Sequence, residues 1–348
     1  MEIKVFASPI SYKSKYLSLL QSGGVGHFRF ETGPASLIET ATRQARSSLL
    51  HLHWEEFLFK GCESRAEADE ALRRFERLIS NYYAAGGKLL LTIHNRFPHV
   101  MPFLEHFHAA RAIALQTADA VIVHNTSSAD EVIATHSCDS ARIHQIDHPS
   151  SVGVYESEEQ AVSRIDGFHD GELLIFGQIR RQKGIREAVA ALPAHFLEAC
   201  ALYLAILGRG EHADELQREC QDRADVRWEI GYVPDLAAIS RIGRATCCLL
   251  PYQQFLTSGV AHLVLSAGGI YVAPRVAQHL ALLPTRNHQF LYEKGDDADF
   301  RRAVVQAAAL SPAERLECRL ANYRRALSLA PHLVAPKLAL LYQSLLRH

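Results

Sequence analysis

Residues 172–184 read ELLIFGQIRRQKG, and this is the clearest fold signal in the chain. An apolar run of strand length comes first, Gly177 then permits a tight turn, and an amphipathic segment follows at 184–192. Strand, loop and amphipathic helix in this order are typical of a βαβ unit in a parallel sheet.

The same alternation extends in both directions and predicts two α/β domains, which a length of 348 residues accommodates. We predict two Rossmann-like domains that face a central cleft. The first spans 1–155 and the second 156–330, with a polar linker at 156–170 and a final helix over 331–348. The predicted strands lie at 3–8, 48–53, 88–94, 120–124, 142–146, 173–177, 202–207, 226–231, 246–251 and 270–273.

The composition excludes several classes of protein. Lys and Arg total 37 against 38 Asp and Glu, so no basic excess supports a nucleic-acid partner. No apolar run reaches the ~18 residues of a membrane-spanning helix, and the first residues do not read as a signal peptide. The seven cysteines lack C-x-x-C spacing, and Cys247 and Cys248 are adjacent in an apolar run, which indicates reduced thiols. We therefore expect a cytoplasmic protein.

Two loops that follow predicted strands of the second half are suited to bind an anion. Residues 257–259 (TSG) are expected in the first turn of a helix, where backbone N–H groups lack partners and attract phosphate. Arg180, Arg181 and Lys183 place cations at the carboxyl edge of the sheet. An ordinary helix cap and a solvated basic loop are the alternatives that the residues leave open.

The first half of the chain is rich in histidine, with eleven of the nineteen ahead of Pro149. His53 lies in a predicted strand, and His94, Asn95 and His99 lie at or after the end of another. A histidine at the carboxyl end of a strand can donate to a substrate hydroxyl or stabilise developing charge. A packed strand histidine is the open alternative for His53. No H-E-x-x-H or comparable spacing occurs, so we predict no metal site.

Several segments, taken in order, resemble the GT-B glycosyltransferases, in particular the retaining enzymes of glycosyltransferase family 4. The closest resemblance is to a bacterial polysaccharide subgroup with the motifs T-x-H-N-x-x-P-H, F-G-x-I-R-x-x-K-G and P-Y … T-S-G … G … A-P. The matching segments are LHLHW at 50–54, LTIHNRFPH at 91–99, FGQIR at 176–180 with KG at 183–184, PY at 251–252, TSG at 257–259, Gly268, and AP at 273–274.

The resemblance implies a role for each of these segments. The first domain would bind the acceptor and the second the nucleotide sugar, and the final helix would return to the first domain. No cofactor or metal would be needed, because cations and a helix dipole replace Mg²⁺ beside the leaving diphosphate. The residues implied are His94 beside the transferred sugar, Arg180, Lys183, Thr257, Ser258 and Gly259 at the donor diphosphate, Gly177, Gly208, Arg209, Tyr232 and Val233 at the nucleotide, and His53, Trp54, Asn95 and His99 at the acceptor.

One departure from the family concerns two glutamates, eight positions apart, that many members place against the donor sugar and the ribose. Phe255 and Leu263 stand at these positions here. The resemblance therefore does not select the base or the sugar of the donor. The usual diphosphate arginine falls on Gln178, which leaves Arg180 as its substitute.

We expect a metal-independent, retaining hexosyltransferase that moves a hexose from GDP-mannose or a UDP-hexose to a hydroxyl of a glycan. The implied acceptor is a lipid-linked intermediate of a bacterial exopolysaccharide or lipopolysaccharide. Such an acceptor would bring the protein to the inner face of the plasma membrane as a peripheral contact. Two alternatives stay open: a non-catalytic GT-B-like subunit that binds glycan or a partner enzyme, and a sugar-nucleotide epimerase or hydrolase of the same fold.

Overall fold

The computed structural model describes residues 3–10, 14–96, 103–136, 138–167, 171–252 and 256–347. The chain divides into two compact units, Met1–Pro149 with Pro331–His348, and Ser150–Ala330. It leaves the first unit once and returns to it with its last helix. Within the described ranges, no helix combines the length and the apolar character that crossing a membrane requires.

Strands and helices alternate along both units, as expected for parallel sheets. The first unit contains β1 (Ile3–Ser8), α1 (Lys15–Ser22), β2 (Phe28–Thr32), α2 (Leu37–Thr42), β3 (Leu49–Leu52), α3 (Arg65–Ala84), β4 (Lys88–Thr92), α4 (Leu104–Thr117), β5 (Ala120–Val123), α5 (Thr126–His136) and β6 (Ile143–Gln145). The second contains α6 (Glu158–Ile165), β7 (Glu172–Gln178), α7 (Ile185–Ala191), α8 (Ala194–Ala199), β8 (Tyr203–Arg209), α9 (Ala213–Glu219), β9 (Arg227–Ile230), α10 (Asp235–Arg244), β10 (Cys247–Leu249), α11 (Gly259–Ser266), β11 (Tyr271–Pro274), α12 (Ala277–Leu282), β12 (Leu291–Tyr292), α13 (Asp297–Ala308) and α14 (Pro312–Leu327), and α15 (Pro331–Leu346) belongs to the first unit.

Each unit is built on a six-stranded parallel sheet. The strand order is β2-β1-β3-β4-β5-β6 in the first unit and β12-β11-β10-β7-β8-β9 in the second. Parallel neighbours need crossover connections, and helices supply them, so the central strands are covered on both faces. All four residues of β3 and all four of β5 are buried. The predicted α/β class with two Rossmann-like sheets is confirmed.

The last helix completes the core of the first unit. Val334 and Leu338 of α15 share an apolar cluster with Val5, Leu17 and Leu90. Pro331 begins the helix, a position that proline tolerates because the first N–H groups of a helix have no partner within it. The first unit is therefore assembled from both ends of the chain.

The polar stretch at 156–170, predicted as a linker, contains α6 instead. The helix begins with a capping box at Ser157, and its Ala161 and Ile165 pack against Tyr323 of α14. The units divide ahead of it, between residues 149 and 150. Its polar composition reflects the exposed face of a short helix rather than an extended connection.

Candidate functional site

In the second unit, the connections leave two neighbouring strands in opposite directions. β7 is followed by β8 on one side, and β10 is followed by β11 on the other, so the carboxyl ends of β7 and β10 form the topological switch point. Doubly wound sheets bind ligands at this point. The loop after β7 and the start of α11 both lie here, and these are the two segments predicted to bind an anion.

Lys183 is a desolvated cation at this edge. Its Nζ lies 3.6 Å from the centre of the Tyr252 ring. Burial, and secondarily the charge of Arg180, lower the pKa of Lys183 to about 8. Among the described residues, no carboxylate forms an ion pair with Lys183. A cation in this state gains more from an anionic ligand than one already neutralised by a side chain.

The two arginines of the same loop differ in their partners. Arg181 donates to Glu215 and Glu219 of α9, so its guanidinium is engaged at the surface. Nε of Arg180 is buried and has no hydrogen-bond partner among the described residues. It forms an ion pair with the carboxylate of Glu211 at 3.7 Å, which is beyond hydrogen-bonding distance. Arg180 can therefore still pair with a phosphate oxygen, whereas Arg181 is held away from this role.

The start of α11 differs in detail from the predicted first turn. Gly259 is the first helical residue and Ser258 is the N-cap, whose Oγ accepts a hydrogen bond from the Ala261 amide at 3.2 Å. Thr257 precedes the cap, and its buried Oγ1 has no hydrogen-bond partner among the described residues. A Cβ added to Gly259 would meet no atom of the described residues within 4 Å. Open space beside unpaired amides and a hydroxyl fits an anion.

Glycines let the loops after β7 and β8 approach each other backbone to backbone. Gly208 has φ +148°, and a Cβ there would lie 1.9 Å from the carbonyl oxygen of Gly177. A Cβ on Gly210 would lie 1.9 Å from the carbonyl oxygen of Ile179. Gly177 itself has φ +120°. The close approach holds the basic loop in place, and no larger residue fits it.

We expect Gly208→Ala to lower the free energy of unfolding of the second unit by about 1–3 kcal/mol, because the added methyl collides with the Gly177 backbone. Urea unfolding followed by Trp228 fluorescence in a Trp54→Phe background measures this. Gly231→Ala is the matched control, since a Cβ there meets no atom within 4 Å in the described part of the chain. An equal effect of both substitutions would contradict the close packing of the two loops.

Tyr232 forms an exposed aromatic surface at the same edge. It is 63% exposed, and the guanidinium carbon of Arg209 lies 5.1 Å from its ring centre. The Gly231 amide donates to the Gly208 carbonyl at 2.8 Å, which joins the ends of β9 and β8. Val233 packs against the core instead. An exposed ring beside an arginine can stack on a planar base.

Neither glutamate position of the family offers a carboxylate here. Leu263 of α11 is partly buried and packs against the apolar core of the second unit. Phe255 lies outside the described residues. The side of α11 that carries Leu263 therefore contributes packing rather than a polar contact to a ligand.

The first unit gathers five histidines near the carboxyl ends of its strands. Their rings contact one another, and four of them contact the ring of Tyr16. Burial lowers the pKa of two of them, His53 and His94, well below the usual value, and neighbouring histidines add to the effect. The pKa of His51 falls to about 3 for the same reasons. We name this group the histidine cluster: His51, His53, His94, His124 and His148.

His53 and His94, both predicted as site residues, are hydrogen-bonded to each other. Nδ1 of His53 lies 2.9 Å from Nε2 of His94. The Trp54 ring stacks on His94 with centroids 4.1 Å apart and an angle of 10° between the planes. Trp54 has φ +44°, in the left-handed region that non-glycine residues seldom occupy and that often marks functional sites.

His51 has a different role from His53, although both lie on one face of the sheet. Its Nδ1 is 2.7 Å from the Tyr342 hydroxyl of α15, and its Nε2 is 2.7 Å from Oγ1 of Thr92. Both ring nitrogens are thus satisfied inside the protein. His51 therefore anchors α15 beneath the cluster.

Carboxylates lie beside the cluster, and sequence reasoning missed them. Asn95 donates to Glu56 Oε1 at 2.8 Å, and burial, followed by repulsion from Glu55, raises the pKa of Glu56 to about 7. Glu55 and Arg111 form a buried ion pair with N–O distances of 3.0 and 3.1 Å. His99 lies outside the described residues.

The cluster residues that were not predicted differ in whether the sequence held a signal for them. His124 ends the predicted strand at 120–124, so the rule applied to His94 would also have selected it. Tyr16, His148 and Glu56 stand in no motif, and only the fold brings them to the cluster. Within the described ranges, no group of three or more His, Cys, Asp or Glu side chains could hold a metal ion.

No family model matches the sequence, and no curated protein does either. Among solved structures, HepE of Anabaena in complex with UDP and glucose is 12% identical over 99% of this chain and 100% of that chain, with a TM-score of 0.71. Sucrose-phosphate synthase of Thermosynechococcus elongatus is 14% identical over 100% of both chains, with a TM-score of 0.70. The pneumococcal O-GlcNAc transferase GtfA, in complex with UDP and GlcNAc, is 13% identical over 90% of this chain and 60% of that chain, with a TM-score of 0.64. These neighbours are GT-B glycosyltransferases, and this chain shares their two-domain α/β fold.

Proposed function

We propose that this chain is a glycosyltransferase that moves a hexose from a nucleotide-diphosphate sugar to a hydroxyl of a glycan, in the manner of family 4. The anion site at the switch point of the second unit carries the proposal. There Lys183 is desolvated and has no described carboxylate as partner, and the unpaired amides of α11 begin beside it. Since HepE and GtfA are both complexes with UDP, we place a UDP-hexose ahead of GDP-mannose as donor.

The proposed chemistry needs charge stabilisation more than covalent catalysis. The bond between the anomeric carbon and the diphosphate oxygen breaks, and its electron pair stays on the diphosphate. Lys183, Arg180 and the first amides of α11 would stabilise that charge in place of a metal ion. The acceptor oxygen bonds to the anomeric carbon, and in a retaining reaction its proton passes to the departing phosphate oxygen. No resident cofactor takes part.

The remaining donor contacts would come from the ends of neighbouring strands. We assign the base to the exposed ring of Tyr232, with Arg209 beside it, because a planar base stacks well on such a surface. Gly177 and Gly208 would let the donor approach the backbone closely. Thr257 would offer its unpaired hydroxyl to the diphosphate.

The first unit would supply the acceptor side. We assign His94 to the transferred sugar and Trp54, Asn95 and His99 to the acceptor. His53, also predicted at the acceptor, is fully buried and hydrogen-bonded to His94, so we assign it no direct acceptor contact. A lipid-linked polysaccharide intermediate as acceptor, peripheral contact with the inner face of the plasma membrane, and retention of configuration rest on the family resemblance. Product stereochemistry, read by NMR of the new linkage, tests the last of these.

A non-catalytic GT-B-like subunit is the second candidate. One observation favours it: the family's second glutamate position holds Leu263, which packs against the core. Incubation with donor, with and without a glycan acceptor, separates the candidates. A transferase releases nucleoside diphosphate with acceptor, an epimerase or hydrolase consumes donor alone, and a binding subunit leaves the donor intact.

The proposal predicts that one nucleoside diphosphate binds the isolated protein. Calorimetric titration with UDP, GDP, ADP, dTDP and CMP should show UDP binding most tightly and CMP weakly, since CMP lacks the second phosphate. Tyr232→Ala should weaken UDP binding by about 1–3 kcal/mol through loss of base stacking, and Leu236→Ala, at an exposed position of α10, is the control. If none of the five nucleotides binds, the proposed donor site is wrong, and a non-catalytic GT-B-like subunit becomes the favoured function.

A further inference from the structure

The hydrogen bond between His53 and His94 couples the tautomers of the two rings. The two atoms that face each other are Nδ1 of His53 and Nε2 of His94. Burial holds the pKa of both rings far below neutrality, so each ring is neutral and carries a single proton. Only one proton can lie between the two nitrogens. The tautomer of one ring therefore determines the tautomer of the other.

The second nitrogen of His53 distinguishes the two arrangements. Its Nε2 is buried and has no hydrogen-bond partner among the described residues. If His94 donated, this Nε2 would carry an N–H group that is buried and unpaired. If His53 donates, only a lone pair remains there. Buried unpaired N–H groups are rarer in proteins than under-satisfied acceptors, which favours His53 as the donor.

Aromatic contacts hold the His94 ring in the orientation that this bond requires. Trp54 stacks on one face at 4.1 Å, and Tyr16 meets the ring edge-on with centroids 4.9 Å apart. These contacts fix the plane of the ring. The hydrogen bond to His53 then selects one of the two orientations that a 180° rotation about χ2 would exchange. No hydrogen bond joins Nδ1 of His94 to any residue in the described part of the chain.

We propose that His53 is a positioning residue for His94. Its Nδ1–H donates to Nε2 of His94, which holds His94 in the Nδ1-protonated tautomer and leaves that N–H to donate to a hydroxyl oxygen of a bound sugar. The identity of the ligand rests on the proposed function, whereas the tautomer does not. His53 itself touches no reacting atom in this arrangement.

The tautomer is measured by long-range ¹H–¹⁵N correlation of the histidine rings in the full chain, with His94→Gln used to assign the His94 signals. We expect wild-type His94 to carry its proton on Nδ1. His53→Asn should keep this state, because the asparagine Nδ2 occupies the donor position of the imidazole Nδ1. His53→Leu should shift the proton to Nε2. Wild-type His94 protonated at Nε2, or unchanged in His53→Leu, would overturn the proposal.

Kinetics test the consequence for transfer. His53→Leu should lower kcat on the order of 10- to 100-fold, as losses of orienting partners do, while KM for the donor changes less than about threefold. His53→Asn should restore most of kcat. His51→Asn is the matched control: His51 bonds Thr92 and Tyr342 rather than His94, so the His94 tautomer should stay the same.

The two experiments separate the two levels of inference. If no nucleotide sugar is turned over and the wild-type tautomer is nevertheless Nδ1-protonated, the positioning role of His53 stands and the proposed reaction fails. If transfer occurs and His94 is protonated at Nε2, the reaction stands and the positioning role fails. The wild-type spectrum alone decides the tautomer, even if His53→Leu does not fold.

Discussion

Replacing Lys183 by alanine is expected to lower kcat/KM for sugar transfer about 100- to 1,000-fold, as loss of a group that stabilises developing negative charge does. The ammonium group lies in a desolvated position over the Tyr252 ring. In the proposed reaction it would interact with a departing diphosphate more strongly than an exposed lysine. Initial rates of nucleoside diphosphate release, with a UDP-hexose and a glycan acceptor, measure the effect.

Arg181→Ala provides the control for this substitution. Arg181 stands two positions away in the same loop, but its guanidinium is engaged by Glu215 and Glu219. Its removal should change kcat/KM by less than about fivefold, since exposed ion pairs contribute at most ~1 kcal/mol. Comparable losses in both variants would mean that the loop contributes only diffuse positive charge, and the specific role of Lys183 would be wrong.

The lowered pKa of Lys183 gives the same site a pH signature. In the free protein this pKa is about 8, so the side chain is charged below that pH and neutral above it. A diphosphate binds the charged form, and binding above pH 8 must therefore take up a proton. Affinity for UDP should be flat from pH 6.5 to 7.5 and fall toward tenfold per pH unit above about 8. Burial raises the pKa of Tyr252, so Tyr252 stays neutral over this range, and Lys183→Ala should remove the dependence.

The second large effect concerns stability. Glu55→Gln is expected to lower the free energy of unfolding of the first unit by about 3–5 kcal/mol, because it leaves the charge of Arg111 buried without its carboxylate. Glu55 and Arg111 are 1% and 2% exposed, and two hydrogen bonds join them. Urea unfolding followed by Trp54 fluorescence in a Trp228→Phe background reports on this unit.

The control for Glu55→Gln breaks an exposed pair in the same unit. The side chains of Arg65 and Glu105 are 75% and 81% exposed, so Glu105→Gln should cost less than about 1 kcal/mol. Because Glu55 directly follows Trp54, its loss should also disturb the stack of Trp54 on His94. A loss below about 1 kcal/mol for Glu55→Gln would show that water reaches Arg111 and that the pair is not a buried one.

Ten strands were predictable because their signals are local. Apolar runs such as 88–94 and 120–124 have the length of buried strands, and glycine or polar residues end them. Of the other two strands, β2 is an edge strand with one buried residue among five, and only the strand-like stretch at 27–30 indicated it from the sequence. β12 has only two residues, which is too short for this reasoning. α6 was not predicted because its segment is polar and only one of its faces is buried.

The chain by itself determined the fold class and the loops that could bind an anion, because hydrophobic period, glycine turns and helix caps act over a few neighbouring residues. Tertiary structure decided which side chains meet. Strand order brings His53 next to His94, and Tyr342 reaches His51 from 291 residues away. It also turned Arg181 to its surface glutamates while Lys183 became desolvated. Partners, burial and pKa depend on residues distant in the chain, and no local pattern specifies them.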